Sequence, residues 1–228
     1  RVEDVEFSGA GEGVRLAGTL TLPRMGRAFP VAVLISGSGP QDRDETIMEH
    51  KPFLVLADHL TRQGIAVLRY DDRGVGASTG SFGQANSRDF AADVEAAMDY
   101  LRSRPEIDPG RVGLIGHSEG GYIAPMVAAR RDDVAWIVLL AGTGVPGDQI
   151  LLNQAERIAR VAGTQAADIA LNRRVQQVVF AAIRKSGVPR EVRQTFEAFV
   201  ATLKPEEQQH AIVAASRAEM SGLLEPWF

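Results

Sequence analysis

The segment Val112-Gly-Leu-Ile-Gly-His-Ser-Glu-Gly-Gly-Tyr122 decides the fold of this chain. Its short apolar run ends at Gly116-His-Ser-Glu-Gly120, and a segment compatible with a helix follows at once. This is the G-x-S-x-G pattern in the strand–turn–helix context that the pattern requires. It predicts a nucleophile elbow, a very tight turn that lifts the Ser118 hydroxyl out of a sheet.

Three neighbours of Ser118 favour a catalytic role for this turn. Gly116 and Gly120 are suited to it because neighbouring chain passes close to their Cα atoms, where a side chain would collide. The Glu119 N–H lies at the start of the following helix, where it and the helix dipole can stabilise developing negative charge. The alternative is a Gly- and Ser-rich connection without chemistry, since short patterns also match by chance.

The composition of the 228 residues excludes several kinds of protein. With 45% hydrophobic and 24% charged residues, the chain is typical of a globular protein. A net charge of −4 without a long basic run argues against a nucleic-acid surface. The absence of cysteine excludes disulfides, thiolate metal sites and cysteine nucleophiles. No apolar run approaches the roughly 20 residues that span a bilayer, and no metal or cofactor is implied.

Hydrophobic periodicity predicts an α/β fold for residues 1–145. Residues 2–7 and 14–22 alternate apolar and polar side chains, which predicts an antiparallel hairpin. Strands and helices then alternate to residue 144, which implies right-handed crossovers and a three-layer, mostly parallel sheet. The predicted strands are 31–35, 65–68, 112–115 and 136–140, and the predicted helices are 52–63, 89–102 and 122–131.

Loops at the carboxyl edge of such a sheet form its active site. Ser36-Gly-Ser-Gly-Pro40 exposes backbone N–H groups there, and we expect the Ser38 N–H to be the second oxyanion donor. The alternative is a plain loop. The charged run 41–45 is expected only to shape this loop. The glycines in residues 71–76 lack the Gly-x-x-x-x-Gly-Lys pattern of a nucleotide site.

Residues 146–228 form a second predicted domain. The segments 148–162, 165–186, 189–203 and 205–218 contain no strand-like run, and glycine or proline separates them. This is typical of an all-helical block. We interpret it as a cap over the carboxyl edge of the sheet because it leaves directly from the loop 142–144. An independent helical domain is the alternative.

These motifs together resemble the α/β-hydrolase superfamily, and more narrowly the bacterial capped carboxylesterases of the dienelactone-hydrolase-like or peptidase-like type. The resemblance is clear to about residue 145 and extends to the helical block only by position and composition. It implies that Ser118 is the nucleophile of an acyl-enzyme mechanism, with the Ser38 and Glu119 N–H groups as oxyanion donors. The motifs that carry it are Ser36-Gly-Ser-Gly-Pro-Gln-Asp-Arg-Asp44, Tyr70-Asp-Asp-Arg-Gly-Val-Gly76 with Ser78, and Gly116-His-Ser-Glu-Gly-Gly121.

The same resemblance implies an acid and a histidine after the cap, in the order Ser…Asp/Glu…His. Family members carry them on two further strands, whereas this sequence reaches Trp227-Phe228 without another apolar strand. We therefore expect a truncated chain whose acid and base lie beyond residue 228. The alternative base is His210, with Asp148 or Asp168 as its acid.

The other three histidines are weaker candidates for the base. His117 lies inside the elbow, where its side chain should point away from the hydroxyl. His50 and His59 precede the nucleophile and flank the first crossover helix, where solvated or packing roles are expected.

The expected function is hydrolysis of carboxylic esters with small-to-medium acyl groups, and the expected partner is a small-molecule ester. A serine peptidase of the same fold is one alternative, and an inactive fragment or pseudoenzyme with only a binding role is another. The chain begins at Arg1, so a leader could have been removed. A cytoplasmic and a secreted or periplasmic location both stay open, as does the oligomeric state.

Overall fold

The computed structural model describes residues 1–222, in which three strands come first, helices and strands then alternate up to Leu140, and helices follow. Residues 223–228 lie outside the described residues. The end of the segment for which no further strand was predicted, with Trp227 and Phe228, therefore lies outside them as well. The strands are β1 (Val2–Ser8), β2 (Arg15–Thr21), β3 (Phe29–Ile35), β4 (Ala66–Tyr70), β5 (Ile107–His117) and β6 (Trp136–Leu140). The helices are α1 (Pro52–Arg62), α2 (Ser87–Arg102), α3 (Gly120–Ala128), α4 (Gly147–Val161), α5 (Ala166–Lys185), α6 (Pro189–Val200), α7 (Pro205–Gln208) and α8 (Ala211–Gly222).

The strands form one sheet in the order β1-β2-β4-β3-β5-β6. β1 pairs antiparallel with β2, and β2 pairs antiparallel with β4. The three remaining pairs are parallel. The predicted N-terminal hairpin and mostly parallel sheet are therefore confirmed. Parallel order places the carboxyl ends of β3, β4, β5 and β6 at the same edge, and the turn with Ser118 follows β5 there.

Helices cover both faces of this sheet. Val33 of β3 packs in a core with apolar side chains of α2 and α3. The next residue, Leu34, packs on the opposite face with Phe53 of α1. A strand that is covered on both faces needs an uninterrupted apolar sequence, as the run at 31–35 has. The predicted three-layer arrangement is confirmed.

The start of α2 differs from the sequence-based boundary by two residues. α2 begins at Ser87 because Asn86 and Asp89 form a capping box. The Asn86 side chain accepts a hydrogen bond from the Arg88 N–H at 2.8 Å, and the Asp89 carboxylate accepts one from the Asn86 N–H at 2.9 Å. These two bonds satisfy N–H groups that the first turn of a helix leaves without partners.

β6 is an outer strand of the sheet rather than a buried one. No strand pairs with its outer side within residues 1–222. Its four apolar residues from Ile137 to Leu140 are each 38–44% exposed. The apolar sequence predicted a strand correctly, but periodicity carries no information about a strand's place in the sheet.

The chain divides into two compact units, Arg1–Thr143 and the residues from Gly144 on. The second unit has its own apolar core, in which Val192, Phe196 and Val200 of α6 are buried with Leu171 of α5. The predicted segment 205–218 is two helices rather than one. The break falls at His210, because its Nδ1 atom accepts a hydrogen bond from the Ile212 N–H at 3.3 Å and so caps α8. None of the described helices is both long and apolar enough to cross a membrane.

Candidate active site

Ser118 occupies a strained turn between β5 and α3. Its φ angle is 51°, in the left-handed region that costs a residue with a side chain on the order of 1–3 kcal/mol. A Cβ atom at Gly116 would overlap the backbone of Gly120, and one at Gly120 would overlap the Ile35 carbonyl. The Ser118 N–H donates to the Leu140 carbonyl at 2.9 Å and ties the turn to β6. This is the backbone geometry that a nucleophile elbow needs.

The loop after β3 lies directly against this turn. A Cβ atom at Gly37 would lie 3.2 Å from the Cβ of Ser118. The N–H groups of Ser38 and Glu119 donate to no acceptor within residues 1–222. The Gly37 N–H, in contrast, donates to the Glu45 carboxylate at 2.7 Å. Two backbone donors beside the serine are thus free of internal hydrogen bonds, whereas a third is occupied.

Asp72 joins this loop to the loop that follows β4. Its Oδ1 accepts a hydrogen bond from the Ser36 hydroxyl at 2.9 Å, and its Oδ2 accepts one from the Gln41 N–H at 3.0 Å. Burial raises the pKa of the Asp72 carboxyl to about 7, although both hydrogen bonds act in the opposite direction. Asp72 therefore fixes both ends of the candidate oxyanion loop, residues 36–41.

Glu45 is a second buried carboxylate at the site. Only 2% of the residue is exposed, and its Oε1 atom lies 2.7 Å from the His117 Nδ1 as well as 2.7 Å from the Gly37 nitrogen. The sequence predicted only a loop-shaping role for the charged run at 41–45, and no role was predicted for Asp72. Charged clusters in loops are usually solvated, so nothing in the sequence marked these two residues as buried.

Two of the four histidines considered from the sequence, His117 and His210, contact groups other than the Ser118 hydroxyl. The His117 ring is held by Glu45, and no residue within 1–222 accepts a hydrogen bond from the Ser118 hydroxyl. His210 uses both ring nitrogens inside the helical unit, where Nδ1 caps α8 and Nε2 lies 3.3 Å from Asp168 Oδ1. Asp148, the other candidate acid, pairs with Arg184.

The Glu119 side chain connects the elbow to α2. Its Oε1 atom accepts a hydrogen bond from the Ser87 hydroxyl at 2.6 Å. The residue is the N-cap position of α3 and has no side-chain capping bond of its own. Its side chain therefore anchors the start of α3 while its N–H is left available.

Residues 49–206, well over half of the chain, match the profile of the Hydrolase_4 family, which is described as serine aminopeptidase, S33. The chain belongs to this family of α/β-hydrolases. Esterase EstD of Thermotoga maritima is 32% identical over 139 residues, which are 61% of this chain and 33% of that protein. The uncharacterized protein Rv2307c of Mycobacterium tuberculosis is 30% identical over 166 residues, which are 68% of this chain and 55% of the relative.

Solved structures agree with this assignment at the level of the fold. The Pyrococcus furiosus esterase Pf2001 superposes with a TM-score of 0.56 and 22% identity, over 70% of this chain and 57% of that chain. The α/β hydrolase GrgF from Penicillium superposes with a TM-score of 0.54 and 24% identity, over 72% and 56% of the two chains. The chain thus spans between a third and somewhat over half of the length of these relatives.

Proposed function

We propose that this α/β-hydrolase is a serine esterase that cleaves carboxylic esters of small-to-medium acyl groups through an acyl-enzyme. One observation carries the proposal. Ser118, held at a φ angle of 51° at the start of α3, lies beside a loop that offers the Ser38 N–H, and the Glu119 N–H follows it directly. Neither of these N–H groups has an acceptor within the described part of the chain.

The proposed reaction has two steps. The Ser118 oxygen attacks the ester carbonyl carbon while a base takes its proton, and the carbonyl oxygen gains the negative charge that the Ser38 and Glu119 N–H groups stabilise. The bond to the alcohol breaks, and the alcohol leaves with that proton. Water, deprotonated by the same base, then attacks the acyl carbon. The bond to the Ser118 oxygen breaks, that oxygen takes the proton back from the base, and the acid is released. In this proposal the base is a residue other than His117 and His210, because both are held in other hydrogen bonds.

The choice between an ester and a peptide substrate rests on the relatives. EstD is named an esterase, which supports ester hydrolysis. The family description names an aminopeptidase, which makes a serine peptidase the second candidate. We propose that the helical unit is a cap that shields a small substrate from water. Turnover of a p-nitrophenyl ester without turnover of the matching p-nitroanilide would favour the esterase, and the reverse result would favour the peptidase.

Labelling by a fluorophosphonate tests the nucleophile itself. In the natural full-length protein we expect one covalent adduct, observed by intact mass, and Ser118→Ala should abolish it. Ser103→Ala is a suitable control, since the hydroxyl of this exposed serine makes one hydrogen bond, which it donates to the Tyr100 carbonyl at 2.7 Å. A full-length protein that forms no adduct would instead support the inactive or binding-only alternative.

A further inference from the structure

We propose that Glu45 is a positioning residue of this site. One of its two carboxylate oxygens holds the candidate oxyanion loop against the proposed nucleophile elbow. The inference rests on the proposed function. Glu45 Oε1 lies 2.7 Å from the nitrogen of Gly37 and 2.7 Å from Nδ1 of His117. Because the carboxylate only accepts, both partners donate to it, and His117 therefore carries its hydrogen on Nδ1.

Each partner of Glu45 is the direct neighbour of a proposed catalytic group. Gly37 precedes Ser38, the candidate oxyanion donor, and His117 precedes the nucleophile Ser118. Donors must lie about 2.7–3.1 Å from the position of the oxyanion, so their placement relative to the serine decides how well they stabilise it. A contact that fixes Gly37 and His117 relative to each other fixes that geometry.

Glu45, like Asp72, differs in its electrostatics from three other largely buried acids of the sheet unit. Asp44 pairs with Arg69, Asp71 with Arg43, and Asp93 with Arg73. No Lys or Arg contacts Glu45 within residues 1–222. Taking a carboxylate out of water without a guanidinium or ammonium partner is unfavourable for folding. The stability of the fold therefore does not explain a glutamate at position 45. The two hydrogen bonds that its Oε1 atom accepts do explain it.

The loop that carries Glu45 is itself anchored to β4 and its exit loop. The Arg43 guanidinium donates to both carboxylate oxygens of Asp71, at 3.1 and 2.8 Å. The Glu45 backbone has a φ angle of 50°, and its N–H donates to the Asp42 carbonyl at 2.9 Å. The loop that carries the carboxylate is thus held by both side-chain and backbone hydrogen bonds.

Glu45→Ala, Glu45→Gln and Thr46→Ala in the full-length protein separate positioning from stability. The alanine variant loses the acceptor, so we expect kcat for a p-nitrophenyl ester to fall about 100-fold while KM changes little, which is the scale of losing one oxyanion donor. The glutamine variant keeps an oxygen that accepts from Gly37 and His117, so its kcat should stay within about 5-fold of wild type. Thr46→Ala removes only an exposed hydrogen bond to Asp42 in the same loop and should leave kcat unchanged.

Two results would overturn the role of Glu45. One is an unchanged kcat in folded Glu45→Ala, and the other is an equal loss of kcat in Glu45→Ala and Glu45→Gln. If Glu45→Ala does not fold, His117→Ala removes the same bridge from a half-exposed side chain. We expect it to lower kcat about 10-fold, and an unchanged kcat would count against the proposal.

The same experiment distinguishes failure of this role from failure of the proposed function. A wild-type protein that neither hydrolyses esters nor reacts with the fluorophosphonate would contradict the proposed function and, with it, the role of Glu45. A reactive wild type with an equally reactive Glu45→Ala variant would contradict only the role of Glu45.

Discussion

Asp72 and Glu106 show how differently one kind of side chain behaves in this protein. Burial raises the pKa of Asp72 to about 7. Hydrogen bonds from Arg104 lower the pKa of Glu106 to about 2. The ionised form of Asp72 is therefore unfavourable for the folded state, whereas the ionised form of Glu106 is favourable. The two carboxyl groups should contribute to stability with opposite dependence on pH.

Replacement of Asp72 by asparagine isolates the effect of the Asp72 carboxyl on the pH dependence of stability. Because the pKa of Asp72 is higher in the folded chain than the ordinary value of about 4, its contribution to stability falls as the pH rises from about 4 to about 7. We expect Asp72→Asn to be more stable than wild type above pH 7 by on the order of 2–4 kcal/mol, with no difference near pH 4. Asparagine can still accept from the Gln41 N–H and donate to the Ser36 hydroxyl.

Urea denaturation at a series of pH values measures this difference. Asp58→Asn is the matched control, since Asp58 makes only an exposed ion pair with Arg62 on α1. Its effect should be within about 0.5 kcal/mol across the range. An Asp72→Asn variant that is less stable than wild type at pH 8 would contradict the expected sign.

At the scale of elements, the tight turn at Ser118 depends on close contact between backbones. Gly116 in β5 lies against Gly120, and Gly120 lies against Ile35 at the end of β3. Gly121 lies against Gly142 in the loop after β6, where a Cβ atom would be 2.5 Å from the Gly142 Cα. β3, β5, the loop after β6 and α3 thus meet at glycines. A side chain at these positions would collide with backbone atoms, which cannot move aside as side chains can.

Gly116→Ala tests this packing. The new methyl group meets the backbone of Gly120, so we expect a loss of about 2–4 kcal/mol in the free energy of unfolding, together with slower labelling of Ser118. Gly83→Ala is the control, since a Cβ atom at this exposed glycine meets nothing within 4 Å. Thermal melts and labelling rates of the two variants give the comparison. A Gly116→Ala protein as stable as Gly83→Ala would show that the elbow can relax.

At the scale of the whole molecule, each unit contains a core of its own. The sheet unit buries its apolar residues on two faces, and the helical unit buries side chains of α5, α6 and α8 around Phe196. We therefore expect a defect in the helical core to act mainly inside that unit.

Phe196→Ala provides such a defect, since Phe196 is fully buried. We expect the helical unit to lose about 3–5 kcal/mol of stability, because a large cavity replaces the ring. Hydrogen exchange followed by mass spectrometry should show faster exchange in α5 and α6 and unchanged exchange in β3 and β5. Val161→Ala, at a largely exposed position, is the control. Equal loss of protection in both units would mean that the chain unfolds as one cooperative body.

Local patterns were sufficient to predict the strands and most of the helices in their order, although they missed the break between α7 and α8. The apolar run at 31–35 predicted a strand covered on both faces, and the sequence from 112 to 122 predicted a strand, a tight turn and a helix. Both are present as β3, β5 and α3. Short-range preferences determine such features, because periodicity and glycine placement act within a few residues.

The sequence by itself therefore determined the sheet, the helical block and the position of the candidate nucleophile. Only the tertiary structure decided that Asp72 and Glu45 are buried at the site and that His210 caps α8. Glu45 and His117 are separated by 72 positions in the chain, and Ser36 and Asp72 by 36. Contacts over such separations depend on how the strands pair and where the loops cross. Their physical cause lies in the assembled fold and not in any local pattern.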